Sequence, residues 1–179
     1  MSNCPQHIAD WLGCSPNEAV RVGEGWAHPS AQVDATATIG CDVWIRAGAW
    51  ISKGVTIGTR AEIGWGVSIG PGVTIGAGVT VGADTSIGTG ARIGPGAWIG
   101  VGVTVGSDVT IGPVATIRPG AWIGRGTMIE RSAWIGRDVV LSPGMWIGAG
   151  ATIKAGAKYK QKEWDGKVSF WDQAGRDVE

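Results

Sequence analysis

Large aliphatic residues recur at every sixth position along most of this chain, and the series contains no insertion or deletion. A smaller apolar or β-branched residue lies two positions before each of them, as in Val73-Thr74-Ile75, with Met145 as the large exception. Two inward residues that flank one outward residue make a short β-strand, because side chains alternate between the two faces of a strand. The remaining residues of each repeat, often Gly-Pro-Gly or Gly-Ala-Gly, predict a tight corner. The series comprises Val33, Ile39, Ile45, Ile51, Ile57, Ile63, Ile69, Ile75, Val81, Ile87, Ile93, Ile99, Val105, Ile111, Ile117, Ile123, Ile129, Ile135, Leu141, Ile147 and Ile153.

A short strand and a corner, repeated identically, make the chain coil into a solenoid. Three strands per turn produce a triangular prism in which the large aliphatics stack in ladders along the axis. The series is long enough for about seven coils. At about 4.8 Å per stacked strand, the prism is about 34 Å long. The pattern therefore predicts an all-β fold whose end coils need capping.

The repeat resembles that of the hexapeptide-repeat superfamily, whose members fold as a left-handed parallel β-helix. The resemblance covers residues 27–157. AHPSAQVDATATIG (27–40) resembles the opening coil of that superfamily, and WIGAGATIKAG (146–156) resembles the closing coils of its acyltransferases. The resemblance implies a left-handed crossover, against the usual right-handed rule. It indicates function only weakly, because one fold supports many activities.

The prism is predicted to lie between two small appendages, a helical N-terminal cap (1–26) and a C-terminal hairpin or tail (158–179). In the cap, Ile8, Trp11 and Leu12 have the spacing of a short amphipathic helix that Gly13 would end. In the tail, KYKQKEWDGKVSFW has an Asp-Gly turn between alternating runs, which predicts a β-hairpin.

A second short helix is predicted after the first one. Ser15, Pro16 and Glu18 have the pattern of a capping box, and the helix would end near Gly23. The segment 8–22 also resembles a helix-turn-helix. Its acidic balance and the short second helix disfavour DNA binding, so we expect no nucleic-acid partner.

Charge and composition exclude several classes of partner. The chain has no formal net charge, so it lacks an electrostatic footprint for nucleic acid or an anionic membrane. It has no signal-peptide pattern at its start and no apolar stretch that could span a bilayer. We therefore expect a cytoplasmic protein without a membrane partner. Its three cysteines, Cys4, Cys14 and Cys41, are expected to be unpaired thiols.

Candidate catalytic residues are scarce. The superfamily's acyltransferases use a His as general base, and this chain has only His7 and His28. Neither matches the usual position of that His, so His28, in the first coil, is only a weak catalytic candidate. No cofactor is expected unless the chain is a transferase, which would use acetyl-CoA or another acyl-CoA. No metal is expected either, because the related gamma-class carbonic anhydrases need three His per site.

The outward positions form three columns of stacked residues, and Trp is frequent in all three. A flat exposed aromatic patch usually marks an interface. The resemblance implies homotrimers, so we favour self-association over a sugar-stacking surface. The first column holds Trp26, Trp44, Glu62, Thr80, Trp98, Thr116, Trp134 and Thr152. The second holds Gln32, Trp50, Ser68, Ser86, Thr104 and Trp122, and the third holds Thr38, Thr56, Thr74, Arg92, Thr110, Met128 and Trp146.

One corner of the prism is the first candidate for a polar site. Charged residues are predicted to stack in two columns there, with a strip of the first outward column between them. A solvated ladder of charges is the alternative interpretation. The charged columns are Glu24, Asp42 and Arg60 on one side and His28 and Arg46 on the other. The candidate binding residues are Trp26, Trp44, Arg46, Glu62, Trp98 and Trp134.

The sequence therefore predicts a self-associating hexapeptide-repeat scaffold or binding protein that lacks the usual catalytic apparatus. The first alternative is an acyl-CoA-dependent acyltransferase with a displaced active site. The second is a carbohydrate-binding surface formed by the Trp columns. The sequence does not identify a small-molecule ligand.

Overall fold

A computed structural model describes residues 4–159 of the chain, and three sheets form the sides of a prism. The first face is a sheet of Val20–Val22, Gly25–Ala27, Trp44–Ile45, Glu62–Ile63, Thr80–Val81, Trp98–Ile99, Thr116–Ile117, Trp134–Ile135 and Thr152–Ile153. The second face contains Gln32–Val33, Trp50–Ile51, Ser68–Ile69, Ser86–Ile87, Thr104–Val105, Trp122–Ile123, Val140–Leu141 and Lys158–Tyr159. The third face contains Thr38–Ile39, Thr56–Ile57, Thr74–Ile75, Arg92–Ile93, Thr110–Ile111, Met128–Ile129 and Trp146–Ile147.

Strands of successive coils pair in parallel with the register that the repeat predicts. On the third face, Thr74 pairs with Arg92 and Ile75 pairs with Ile93. Backbone hydrogen bonds run from coil to coil, as from the Thr74 N–H to the Ala91 carbonyl at 3.0 Å. Apart from the partly buried Val33 in the first coil, the inward aliphatics are almost fully buried, and they form one continuous core along the axis. The left-handed β-helix of about seven coils is therefore confirmed.

The corners combine two backbone requirements. One position has a positive φ, and it accepts Asp84 at 56° as well as Gly78 at 64°, because a short polar side chain tolerates the left-handed region. The other requirement is close stacking: a Cβ on Gly82 would lie 2.6 Å from the Gly100 carbonyl carbon of the next coil. Gly82 therefore lets its own coil and the next approach to strand spacing.

The N-terminal cap contains the predicted helix, Gln6–Leu12. Gly13 ends it in the left-handed conformation with φ 83°, and its N–H donates to the Ala9 carbonyl. Ile8, Ala9 and Leu12 are buried together with Cys4 and Trp26. These residues form a cluster separate from the core inside the prism, so the helix packs on the outer side of the first face, against Trp26 and Trp44.

The prediction of a second helix is wrong. Ser15 and Glu18 do contact each other, since the backbone N–H and hydroxyl of Ser15 donate to the Glu18 carboxylate at 2.9 and 2.8 Å. However, this segment makes one turn, and Val20–Val22 then pairs antiparallel with Gly25–Ala27. The two valines favour a strand, and the first face offers an unpaired edge for it. The helix-turn-helix resemblance consequently has no structural counterpart in residues 4–159.

The C-terminal boundary is displaced slightly from its predicted place. Lys158–Tyr159 pairs in parallel with Val140–Leu141, so the prism continues through Tyr159. The predicted hairpin from residue 160 onward lies outside the described residues. Among residues 4–159, no helix has both the length and the apolar character needed to cross a membrane.

Candidate functional site

His28 has a structural role at the first corner. Its Nδ1 lies 2.8 Å from Ser30 Oγ and accepts a hydrogen bond from the Ser30 backbone N–H at 3.0 Å. Ser30 Oγ in turn accepts from the Gly48 N–H of the next coil at 3.2 Å. An Nδ1 that accepts from a backbone amide assigns the proton of the neutral ring to Nε2. This hydrogen bond occupies the Nδ1 lone pair, which a general base would need in order to accept a proton. His28 instead links its corner to the next coil through Ser30.

The thiols and the other histidine do not assemble into a site. No group of three His, Cys, Asp or Glu side chains comes together among the described residues. Cys4 is buried and Cys14 is half-buried, on either side of the cap helix, and no disulfide joins these two or Cys41. His7 is exposed on the helix. The Cys41 thiol donates to the Glu24 carboxylate at 2.5 Å, and this bond raises the pKa of Cys41.

A cluster of aromatic rings surrounds Arg46 where the cap meets the first face. The guanidinium of Arg46 lies 3.8 Å from the ring centre of Trp11 and 4.6 Å from that of Trp65. Trp11 also packs against Trp44, with ring centres 5.2 Å apart and planes tilted by 58°. We call Trp11, Arg46 and Trp65 the Arg46 stack. It places a cation between two electron-rich ring faces, an arrangement that favours the charged guanidinium.

A depression of about 250 Å³ opens beside the Arg46 stack. Glu62 and Thr80 lie on its floor, since they occupy neighbouring strands of the first face. Trp65 remains 52% exposed and provides an apolar wall. The depression therefore combines a cation, a carboxylate, a hydroxyl and an indole face.

A second cluster lies further along the first face. The guanidinium of Arg118 is 5.9 Å from the ring centres of both Trp98 and Trp134. Thr116 pairs with both tryptophans and separates them by one coil on each side. Trp98 is 36% exposed and Trp134 is 38% exposed. We call Trp98, Arg118 and Trp134 the Trp98 patch, which is a flat surface and not a cleft.

A larger depression of about 620 Å³ lies on the second face, beside Asp34, Trp50 and Lys53. Its carboxylate is already used, because Asp34 accepts hydrogen bonds from the Thr36 backbone and hydroxyl at 2.8 and 2.5 Å. These bonds lower the pKa of Asp34. Volume alone therefore does not make this depression the better site, since its acidic group serves a local turn.

The structure brings together only some of the predicted site residues. Trp44, Arg46 and Glu62 do meet at one corner. Trp26 is buried under the cap, with Arg21 5.0 Å from its ring centre, so it presents little surface to a ligand. In the charged column that begins with Glu24, that carboxylate bonds to Cys41.

The repeat pattern does not predict Trp11, Trp65 and Arg118 as members of the two clusters. Arg118 could have been found, because it occupies the same corner column as Arg46 further along the prism. Trp65 lies in a neighbouring corner column, so the repeat spacing indicates its place in the site less directly. The repeat spacing does not predict the position of Trp11, because the packing of the cap helix on the prism decides where its ring lies.

Comparison with known proteins identifies the repeat. Residues 36–76 and 66–101 match the family model for the bacterial transferase hexapeptide (six repeats). This match, which spans residues 36–101, and the three-sheet prism support the hexapeptide-repeat superfamily that the sequence resembles. Comparison with curated proteins yields no significant match.

Solved structures with a similar fold include several acyltransferases. The UDP-N-acetylglucosamine acyltransferase of Bacteroides fragilis is 21% identical over 79% of this chain and 72% of its own, with a TM-score of 0.51. A perosamine N-acetyltransferase mutant from Caulobacter crescentus, solved with CoA and GDP-perosamine, is 19% identical with a TM-score of 0.47. The matched region covers 83% of this chain and 56% of that enzyme, so this chain spans little more than half of its length. At these identities the likeness concerns the fold.

Proposed function

We propose that this protein is a self-associating, non-catalytic hexapeptide-repeat scaffold whose copies meet through the Trp98 patch. The observation that carries the proposal is the exposure of two indole rings around one arginine on a flat parallel sheet. A flat sheet face of this kind can contact a partner without rearranging its backbone. A homotrimer of parallel prisms suits a triangular cross-section.

The energetics of the patch support an interface. A Trp side chain can bury about 150–250 Å² when it is covered. Trp and Arg are also the residue types that dominate binding energy in protein interfaces. Two tryptophans and an arginine from each copy therefore supply the centre of a contact, and the surrounding Thr residues of the face supply a small polar rim.

The environment of His28 supports the non-catalytic part of the proposal. The ring braces a corner through Ser30, and its Nδ1 lone pair is used by a backbone amide. His7 lies on the exposed side of the cap helix. A transferase built on this chain would thus need a proton acceptor other than the His28 imidazole.

Sedimentation equilibrium tests the proposal. Wild type should have about three times the chain mass, and Trp98→Ser with Trp134→Ser should lower that mass while the β circular dichroism persists. Trp50→Ser with Trp122→Ser is the matched control, because it removes two exposed tryptophans from the second face. A monomeric wild type, or an equal loss of mass in the control, contradicts the proposal.

The geometry of the Trp98 patch also favours a second candidate, a carbohydrate-stacking surface. Two exposed rings on either side of Arg118 could stack on sugar faces while the guanidinium bonds to hydroxyls. This candidate requires the patch to be free in solution. A monomeric wild type that binds on a glycan array, and loses that binding in the Trp98→Ser variant, would support it.

A further inference from the structure

The depression beside the Arg46 stack holds two opposite charges that do not neutralise each other. Arg46 and Glu62 both line it, yet the ion pair found in the described part of the chain joins Arg125 and Asp108. Opposite charges in one depression usually pair directly when their side chains reach each other. The guanidinium of Arg46 lies instead against the Trp11 and Trp65 rings. Both charged groups therefore remain available to a ligand that can span them.

Arg46 has donor capacity that the described residues leave unused. Its Nε is buried and has no hydrogen-bond acceptor among residues 4–159, so the terminal nitrogens are the donors that a ligand in the depression would meet. The guanidinium presents its donors in a rigid planar fork that matches a carboxylate. Stacking between two rings fixes that plane, so little side-chain entropy remains to be lost on binding. The Arg46 end of the depression thus favours a carboxylate.

The other end favours a hydrogen-bond donor with positive charge. The Glu62 carboxylate is a pure acceptor, and the Thr80 hydroxyl beside it can also accept. Trp65 adds an exposed indole face along the wall. A volume of about 250 Å³ is smaller than a typical pocket for a drug-sized molecule, so the ligand is small.

We propose that this depression binds a free amino acid with an aromatic side chain. The ligand carboxylate binds Arg46, its ammonium group binds Glu62 and Thr80, and its ring stacks on Trp65. An aromatic amino acid combines the carboxylate, the ammonium group and the ring that the residues of the depression can bind. The site is distinct from the Trp98 patch, and the inference does not depend on the proposed self-association.

Isothermal titration of the 179-residue chain with L-phenylalanine tests the site. 3-Phenylpropionate lacks the ammonium group and phenethylamine lacks the carboxylate, so the two analogues probe each charge separately. We expect L-phenylalanine to bind at least about tenfold more tightly than either analogue, since each lost charged hydrogen bond costs about 10- to 100-fold in affinity. Failure of all three probes to bind at millimolar concentration overturns the proposal.

Variants of the two charged walls sharpen the test. Glu62→Gln should weaken L-phenylalanine about tenfold or more and leave 3-phenylpropionate unchanged. Arg46→Gln should weaken L-phenylalanine and leave phenethylamine unchanged. Because this substitution also removes the contact with Trp11 and loosens the cap, Glu62→Gln is the deciding variant. Arg92→Gln is the matched control, because it removes an exposed arginine from the third face and should leave every probe unaffected. Equal weakening of all probes by Glu62→Gln overturns the proposal.

The same titration on the Trp98→Ser, Trp134→Ser variant separates this inference from the proposed scaffold function. L-phenylalanine should bind this variant with the affinity of wild type, whether or not its mass has changed. A loss of binding that accompanies the loss of mass overturns the inference, because the site would then depend on the assembly.

Discussion

The guanidinium of Arg46 lies 3.8 Å from the centre of the Trp11 ring, and this contact joins the N-terminal helix to the first face of the prism. Trp44 packs on the other side of the same junction, with its ring centre 5.2 Å from that of Trp11. The contact between Arg46 and Trp11 therefore anchors the N-terminal helix to the outer side of the first face.

Trp11→Ala should release the cap without unfolding the prism. The substitution removes the ring contacts with Trp44 and Arg46, which we expect to cost about 1–3 kcal/mol locally. Hydrogen exchange should speed up in Gln6–Leu12 and remain slow in the central coils. His7→Ala, on the exposed side of the same helix, is the control and should leave exchange unchanged. Uniformly faster exchange throughout the chain would contradict this picture.

Ile75→Asp should prevent folding. Ile75 is 1% exposed within a ladder of aliphatic side chains, so a carboxylate there is desolvated without a partner at a cost of several kcal/mol. Thr74→Asp is the matched control, because the adjacent Thr74 points outward from the same strand and is exposed. Thermal melting followed by circular dichroism should show a cooperative transition for the control and none for Ile75→Asp. Similar melting curves would contradict the register of the inward and outward positions.

Two glycines of neighbouring corners should respond differently to substitution. Gly82→Ala introduces a Cβ 2.6 Å from backbone atoms of the next coil, so it should destabilise by about 1–3 kcal/mol. Gly78→Asn should cost less than about 1 kcal/mol, because nothing lies within 4 Å of its Cβ position and Asn tolerates a positive φ. Thermal melting midpoints of the two variants provide the comparison. If Gly78→Asn lowered the melting midpoint more than Gly82→Ala, the φ angle at the corner would be a stronger constraint than the distance between coils.

Acetyl-CoA should show no turnover with this protein. The imidazole of His28 is held by Ser30, and the standard transfer mechanism requires a free general base. A thiol-release assay with a range of hydroxyl and amine acceptors should match the buffer blank. Robust turnover would instead support the acyltransferase alternative, and His28→Ala would then show whether that ring contributes.

Cys41 should react slowly with an alkylating reagent although it is exposed. The hydrogen bond to Glu24 raises the pKa of the thiol, so less thiolate forms near pH 8 than for a free cysteine. Glu24→Gln should accelerate alkylation of Cys41, whereas buried Cys4 should stay slow in both proteins. Mass spectrometry of timed samples measures both rates.

The same contact predicts a direction for stability against pH. A raised folded-state pKa means that the stabilisation is fully present below the unfolded-state pKa of Cys41. It is lost as the pH rises through the folded-state pKa, when the thiolate faces the Glu24 carboxylate. Glu24→Gln should therefore lose less stability than wild type between neutral and strongly alkaline pH. An identical alkaline slope in both proteins would show that the thiol does not contribute.

The repeat by itself determined the prism, its register and the outward columns. Six residues per strand and corner leave one way to bury every large aliphatic, so the position of Ile75 predicts that of Ile93 and the pairing of Thr74 with Arg92. The placement of Trp98 and Trp134 on one face follows from the same spacing. The local sequence pattern and the overall fold agree at each of these positions, so the sequence alone was enough to predict them.

The tertiary structure decided the cap and the candidate ligand site. Ser15 and Glu18 form their local contact, but the open edge of the first face draws Val20–Val22 into a strand where the sequence predicts a helix. The Arg46 stack needs Trp11 from the cap and Trp65 from a corner of the next coil. No sequence period links those positions, because their approach depends on how a non-repeating segment packs against a repeating one.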